Sequence, residues 1–489
     1  MLIIGIILVF IVFIAAFFKR WNVPLIVIAL GIGIFFGSDV TGLIYFDNAT
    51  LTKKITDIAL MFVLFAGGFE TKKEDLKIVM KPALILATVG VLVTALVGAL
   101  IFIFIFKWDF ITSLLLCSII SSTDASAVFS ILRSRSVDTM ATSITKVESA
   151  TNDPMAIILT TFVLQLKLGA QFNTSSSILI FLWSLVGGIG FGCLIGYLGK
   201  FLFNKLKDLD AGYYHLFLLG LIFLSFGLAQ LCKASGMMAV FFSGFILGNT
   251  KLPYNTRIAS FTDTLSFIAN VGIYVLLGLL VFPSKFPDIW LYGVILFLII
   301  TFIARPVTVF LATYFSKLSI KENIFLSWSG IRGTVPIILA TYPIVAGIDP
   351  QHQIFNIVFI AVILSILFQG TTIGKLADIL KLNNKKKIDV KHLMELVTLH
   401  NIDYELIEIF IDDEIYEGEC KISDLNLPSN TTITMINRNN EIIAPSGQTT
   451  ILPGDVLFVL VEKNNIEETT NQVFSKFFKK NSSEKILSS

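Results

Sequence analysis

Residues 148–157 read ESATNDPMAI: two acids, an amide and two hydroxyls around a proline, with the apolar run ILTTFVLQL following at once. At 100° per residue Glu148, Ser149, Asn152 and Asp153 fall within roughly 140° of arc, so they form one polar face of a helix. Pro154 has no N–H for the carbonyl of Ala150, which leaves an acceptor beside that face and predicts a kink. An ionisable side chain at membrane depth costs roughly 2.5–3.5 kcal/mol, so one that persists there marks a candidate site with a partner to be found. A carboxylate without a fixed cation can take a proton or a metal ion in turn. The competing reading, a polar contact between helices, usually employs Ser, Thr or Asn rather than a pair of acids.

Two further stretches carry polar groups in apolar surroundings: SSTDASA at 121–127, around Asp124, and SWSGIRGTVP at 327–336, around Arg332. Glycine, proline and clustered hydroxyls favour backbone that unwinds, and at membrane depth such backbone survives only when shielded by protein or lining a wet cavity. The two stretches belong to the fifth and twelfth apolar runs, which cross the membrane in opposite directions. That arrangement signals an inverted repeat whose broken helices meet at a midplane ion site; two unrelated kinks are the alternative. Asp124 and Arg332 can each neutralise a half-helix end. Arg332 is also expected to pair with Glu148, leaving Asp153 without a fixed cation.

These residues need a membrane domain to hold them, and the composition supplies one. The chain has 489 residues, 55% hydrophobic and 15% charged, with 44 phenylalanines, far outside the range of soluble domains. About thirteen spanning helices are expected, over 2–18, 23–40, 55–69, 82–106, 109–132, 142–166, 177–199, 212–231, 235–250, 260–282, 288–313, 322–345 and 353–374. The first run lacks a basic flank before it and a small-residue cleavage site, so it reads as a helix rather than a signal peptide. Lys and Arg concentrate in alternate loops, at 19–20, 72–81, 133–135, 200–207, 251–257, 317–321 and 385–387. That side is expected to be cytoplasmic, with the N-terminus outside and the tail inside.

Four cysteines and four histidines are scattered without metal-site or nucleophile spacing, which argues against a metal or Ser/His enzyme. No enzyme activity, cofactor or nucleic-acid partner is expected. The glycines at 31, 33 and 37 and the run GGIGFG at 187–192 lack the preceding strand of a nucleotide loop and fit close helix packing. Met237 and Met238 read as packing residues. Past residue 387 acids outnumber bases, and YELIEIFI, TITMINR and DVLFVLVE alternate between turn signals. A small soluble β-rich or α+β domain is expected over 388–470, followed by a tail over 471–489 whose final stretch SKFFKKNSSEKILSS reads as a mobile end or as a short amphipathic helix.

The stretches SSTDASAVFSILRSR, VESATNDPMAIILT, GMMAVFFSGFILGN and SWSGIRGTVPIILA resemble the monovalent cation:proton antiporter family, most closely the bacterial potassium/proton antiporters related to NhaP-type exchangers. NLPSNTTITMINRNNEIIAPSGQTTILPGDVLFVLV resembles the regulatory subdomain called RCK_C or TrkA-C. The resemblance implies an all-α polytopic homodimer in the cell membrane, with two crossed discontinuous helices in a core that slides against a fixed domain. It further implies a cradle for K+ or Na+ made by Asp153, Ser149, the Thr123 backbone and Asp124. Glu148 and Arg332 would be the structural ion pair. Asn152 ahead of the key acid implies electroneutral exchange, one cation per proton. Ala66 stands where relatives commonly have an acid before paired glycines, which bears on the choice between sodium and potassium. The tail would bind a small cytoplasmic ligand such as a nucleotide, or serve only to dimerise. A tail-gated cation channel is the rival, but no TVGYG-like filter is present; an aspartyl hydrolase using Asp124 and Asp153 would leave Arg332 and the unwound stretches unexplained.

Overall fold

Each apolar run contains a helix. A computed structural model of the chain describes residues 2–18, 25–124, 128, 140–169, 174–206, 211–250, 252, 255–314, 316, 318–382, 393–394, 404–411, 420–425, 427–438, 441–462 and 465–475. Two units result, Met1–Lys385 and Lys386–Ser489.

The helices of the first unit sort into two bundles. One, the flanking bundle, holds α1 (Leu2–Phe18), α2 (Leu25–Phe36) and α3 (Ala49–Glu70), with α8 (Thr174–Lys205), α9 (Ala211–Leu231), α10 (Gly236–Gly248) and α11 (Asn255–Leu279). The other, the crossing bundle, starts with α4 (Lys73–Ile85), α5 (Val91–Phe106), α6 (Phe110–Ile119) and α7 (Met140–Lys167). It is completed by α12 (Phe286–Ile299), α13 (Arg305–Ala312), α14 (Ile320–Trp328), α15 (Thr334–Leu339), α16 (Thr341–Val345), α17 (Gln353–Ser365) and α18 (Thr371–Ile379). Among the described residues six helical segments have the length and apolarity of a membrane span, and shorter apolar helices accompany them.

Glycine brings the flanking helices together. A side chain at Gly33 would strike the backbone of α11 at Val275 and Gly278, and one at Gly68 or Gly244 would strike the facing backbone between α3 and α10. Gly188 and Gly192 press α8 against α10 and Gly187 against Ala234 just ahead of it, whereas Gly31 and Gly190 touch nothing there. Met237 and Met238 are buried. The crossing bundle is less regular: π turns at Leu86–Gly90, Ile300–Ala304 and Ile366–Gly370 interrupt its helices. Such turns often accompany functional sites.

In the second unit, strands β1 (Leu393–Met394), β2 (Tyr404–Phe410), β3 (Cys420–Lys421), β4 (Thr432–Arg438), β5 (Glu441–Ile443), β6 (Thr450–Ile451) and β7 (Val456–Glu462) precede helix α19 (Ile466–Ser475). Five of them form an antiparallel sheet in the order β1-β2-β7-β4-β5. The inward residues Ile407, Ile409, Val459 and Val461 pack with Val473 of α19. The domain therefore extends beyond the expected limit at 470, because Val473 is part of its core. The rest of the expected tail, 476–489, lies outside the described residues.

Candidate cation site

Helix α7 runs unbroken through Pro154, and its polar face meets the first broken segment, Ile120–Asp124. Ser149 Oγ donates to the Thr123 carbonyl at 2.8 Å, and Asn152 Nδ2 donates to Thr123 Oγ1 at 2.7 Å. These two side chains fasten the unwound chain to α7 and set Asp153 beside it. The half-buried Asp153 carboxyl faces Asp124 and the Ser122 hydroxyl. Ser122 Oγ is buried and completes no hydrogen bond of normal geometry. Carboxylate, hydroxyl and carbonyl oxygens gathered in this way suit a hard monovalent cation or a proton.

The second broken segment, Ser329–Gly333, crosses the first. Asp124 N donates to the Ile331 carbonyl at 2.7 Å, and Arg332 Nη1 donates to the carbonyls of Ser121 and Ser122 at 2.6 and 2.8 Å. Arg332 thus covers the open carbonyl end that follows α6, where positive charge is favoured. Its own N–H goes to Ser365 Oγ at 3.0 Å, and Gln369 Nε2 holds the Trp328 carbonyl at 3.0 Å. The Asp124 carboxyl lies against Gly333, where any side chain would collide with it, and Gly330 makes room for the Arg305 guanidinium in the same way. The two glycines of SGIRG therefore admit one acid and one base into the crossing.

The ion pair expected between Glu148 and Arg332 is not the one formed. Glu148 takes Arg305 in a bidentate pair, Nη1 to Oε1 at 2.5 Å and Nη2 to Oε2 at 2.8 Å. Both side chains are buried. Arg332 is committed to the carbonyls of the first break, while Arg305, at the end of the π turn Ile300–Ala304, lies across from Glu148. An arginine inside the run 288–313 was the available signal, on the same cost argument that singled out the acids. Within SSTDASA nothing separates Ser122 from the other hydroxyls, and nothing in the sequence marks Tyr274 of α11, whose hydroxyl accepts from Thr334 beside the Gly333 that Asp124 touches.

Beyond Asp153 along α7, Ile157 and Thr161 follow at one and two turns and line a cavity of 1220 Å³ between the bundles. At its rim Lys53 and Asp57 of α3 pair at 2.5 Å, and Tyr342 of α16 donates its hydroxyl to Asp57 at 2.8 Å. In the loop ahead of α6, burial acts to raise the Asp109 carboxyl, but hydrogen bonds from Thr112 and Lys167 outweigh it and hold the group down to about 2. Ahead of α17, burial pushes Asp349 up and His352 down from their ordinary values.

Two crossed unwound segments, carboxylate, hydroxyl and carbonyl oxygens gathered at their junction and a second bundle packed alongside are the features of a secondary transporter of the inverted-repeat class. The chain belongs to the sodium/hydrogen exchanger family, whose transmembrane model matches residues 6–378, and it is a cation/proton antiporter. A TrkA-C domain model matches residues 415–473. The K(+)/H(+) antiporter NhaP of Alkalimonas amylolytica is 32% identical over 94% of this chain and 80% of its own length. The K(+)/H(+) antiporter NhaP2 of Shewanella sp. (strain ANA-3) is 30% identical over 93% of this chain and 79% of its own. The solved sodium proton antiporter MjNhaP1 from Methanocaldococcus jannaschii superposes with a TM-score of 0.68 at 26% identity, covering 77% of this chain and 97% of that one.

Proposed function

We propose that the protein exchanges potassium for protons across the cell membrane, with sodium as the alternative cargo, and that Asp153 carries both ions in turn. The observation that bears most weight is the division of labour among the buried charges. Glu148 is neutralised by Arg305 and Arg332 by backbone carbonyls, whereas among the described residues no Lys or Arg forms an ion pair with Asp153. Ser149, Asn152, Thr123 and Asp124 position that carboxyl, and Thr123, Ser149 and Asp124 are the proposed oxygen partners of the cation. Since one carboxylate cannot favourably hold a proton and a cation together, each displaces the other, and the pH gradient drives cation movement. Asn152 contributes no second charge, which supports electroneutral exchange, one cation per proton. Potassium is favoured because the relatives named for it match over both units of the chain.

The crossing bundle would carry the site past the flanking bundle, opening it to each face of the membrane alternately. The distribution of Lys and Arg supports a cytoplasmic tail, and the cavity rimmed by Lys53 and Tyr342 would then face outward. A homodimer held through the flanking bundle, and a small ligand such as a nucleotide on the tail, complete the reading. The test is exchange by purified protein in liposomes containing a pH-sensitive dye, with potassium, sodium and rubidium in turn. Asp153→Asn is expected to abolish exchange for every cation; undiminished exchange by that variant would overturn the assignment.

A further inference from the structure

Tyr274 belongs to the flanking bundle but reaches the cation site. Helix α11 is fixed to α2 where Gly278 meets Gly33 backbone to backbone. Four residues earlier on the same helix, Tyr274 is 4% exposed, and Thr334 Oγ1 of the crossing bundle donates a hydrogen bond to its hydroxyl. Thr334 opens α15 directly after Gly333, the residue against which the Asp124 carboxyl rests. One phenol oxygen therefore joins the two bundles one residue from the glycine that the Asp124 carboxyl touches.

We propose that Tyr274 is a positioning residue for exchange: its hydroxyl fastens the half-helix Thr334–Leu339 to the flanking bundle in one access state and so sets the balance between the two states. The inference rests on the antiport reading with the crossing bundle as the moving part. Hydrogen bonds weaken steeply with distance and angle, so sliding α15 past α11 breaks this one, and it stabilises only the arrangement described above. A ligand's apparent affinity falls in proportion to the population of the state that binds it. The bond therefore alters cation affinity differently on the two faces of the membrane, without touching the cation.

The experiment compares half-saturating potassium concentrations in right-side-out and everted membrane vesicles. Tyr274→Phe keeps the ring and removes the hydroxyl. It is expected to change the ratio of the two half-saturating concentrations by about two- to ten-fold, the worth of one hydrogen bond. Thr334→Val is expected to move the ratio in the same direction, and the double variant no further than the larger single change. Thr334→Val also serves as the test if Tyr274→Phe fails to reach the membrane. Equal changes on both faces, a fall in maximal rate alone, or additive effects in the double variant would overturn the proposal. Exchange by the unaltered protein with an unmoved ratio in the variants overturns this inference alone; no exchange by the unaltered protein overturns the antiport reading as well.

Discussion

The flanking and crossing bundles solve one problem, burying helices against each other at membrane depth, by opposite means. The flanking bundle removes side chains: α3 and α10 touch through Gly68, Gly244 and Gly248, and α2 and α11 through Gly33 and Gly278. The crossing bundle adds charge. Among the described membrane residues the buried carboxyl, guanidinium and imidazole side chains, Glu148, Arg305, Arg332, Asp349 and His352, lie in its helices or loops, as do the three π turns. Backbone contact favours one rigid arrangement, whereas broken helices closed by charged side chains keep carbonyls and carboxylates available for an ion. The difference teaches where to look for movement: in the proposed exchange the irregular, charged bundle would carry the site, and the smooth one would supply a fixed surface.

Substitutions that exchange one strategy for the other test this contrast. The largest effect is expected from breaking the buried pair. Glu148→Gln or Arg305→Met should destabilise the protein by about 3–5 kcal/mol, since each leaves a buried group uncompensated. The check is the thermal midpoint in detergent, and the double change Glu148→Leu with Arg305→Met should recover much of the loss. A smaller cost, about 1–3 kcal/mol, is expected for Gly244→Ala, whose methyl group would strike the Phe65 carbonyl and overpack the α3–α10 contact. Measured alongside, its half-saturating cation concentration should stay unchanged, because that contact lies wholly within the flanking bundle. A change in cation affinity instead would blur the distinction between the bundles.

Smaller still is the effect of Tyr342→Phe, which removes the hydrogen bond to Asp57 at the rim of the cavity and should cost about 0.5–1.5 kcal/mol. The weakest test uses acid. Asp109 is held down to about 2 in the folded protein, below the ordinary value of roughly 3.9. Its contribution is therefore fully present above the ordinary value and lost as pH falls through the folded one. Asp109→Asn should flatten the fall in thermal midpoint between about pH 4 and pH 2.

Much of this was legible because apolar runs and misplaced charges are local signals. The helices follow the runs, and SSTD at 121–124, ESATNDP and SWSGIRG do converge, placing Asp124, Thr123, Ser149, Asn152 and Asp153 together. The pairing of Glu148 was not legible, because the choice between Arg305 and Arg332 depends on how the second break is oriented. Arg332 lies in a conspicuous polar motif and Arg305 in an otherwise apolar run, so only the folded geometry separates a carbonyl cap from an ion-pair partner. Ser122 and Tyr274 carry no charge to flag them. Their importance comes from what crosses them in space, which local sequence does not encode. In the tail, strand alternation was readable, but the contribution of Val473 to the core depends on a helix packing back onto the sheet.

The central claim is that a proton and a cation take turns on Asp153. Its most direct test is the initial rate of exchange by reconstituted protein, measured against cation concentration at a series of pH values with equal pH on both sides and tracer cation as the readout. The account predicts competition: on the acid side of the profile the half-saturating cation concentration rises about ten-fold per pH unit while the maximal rate holds. A maximal rate that falls with acidity at constant half-saturation would mean that the proton and the cation occupy different groups, and would contradict the account.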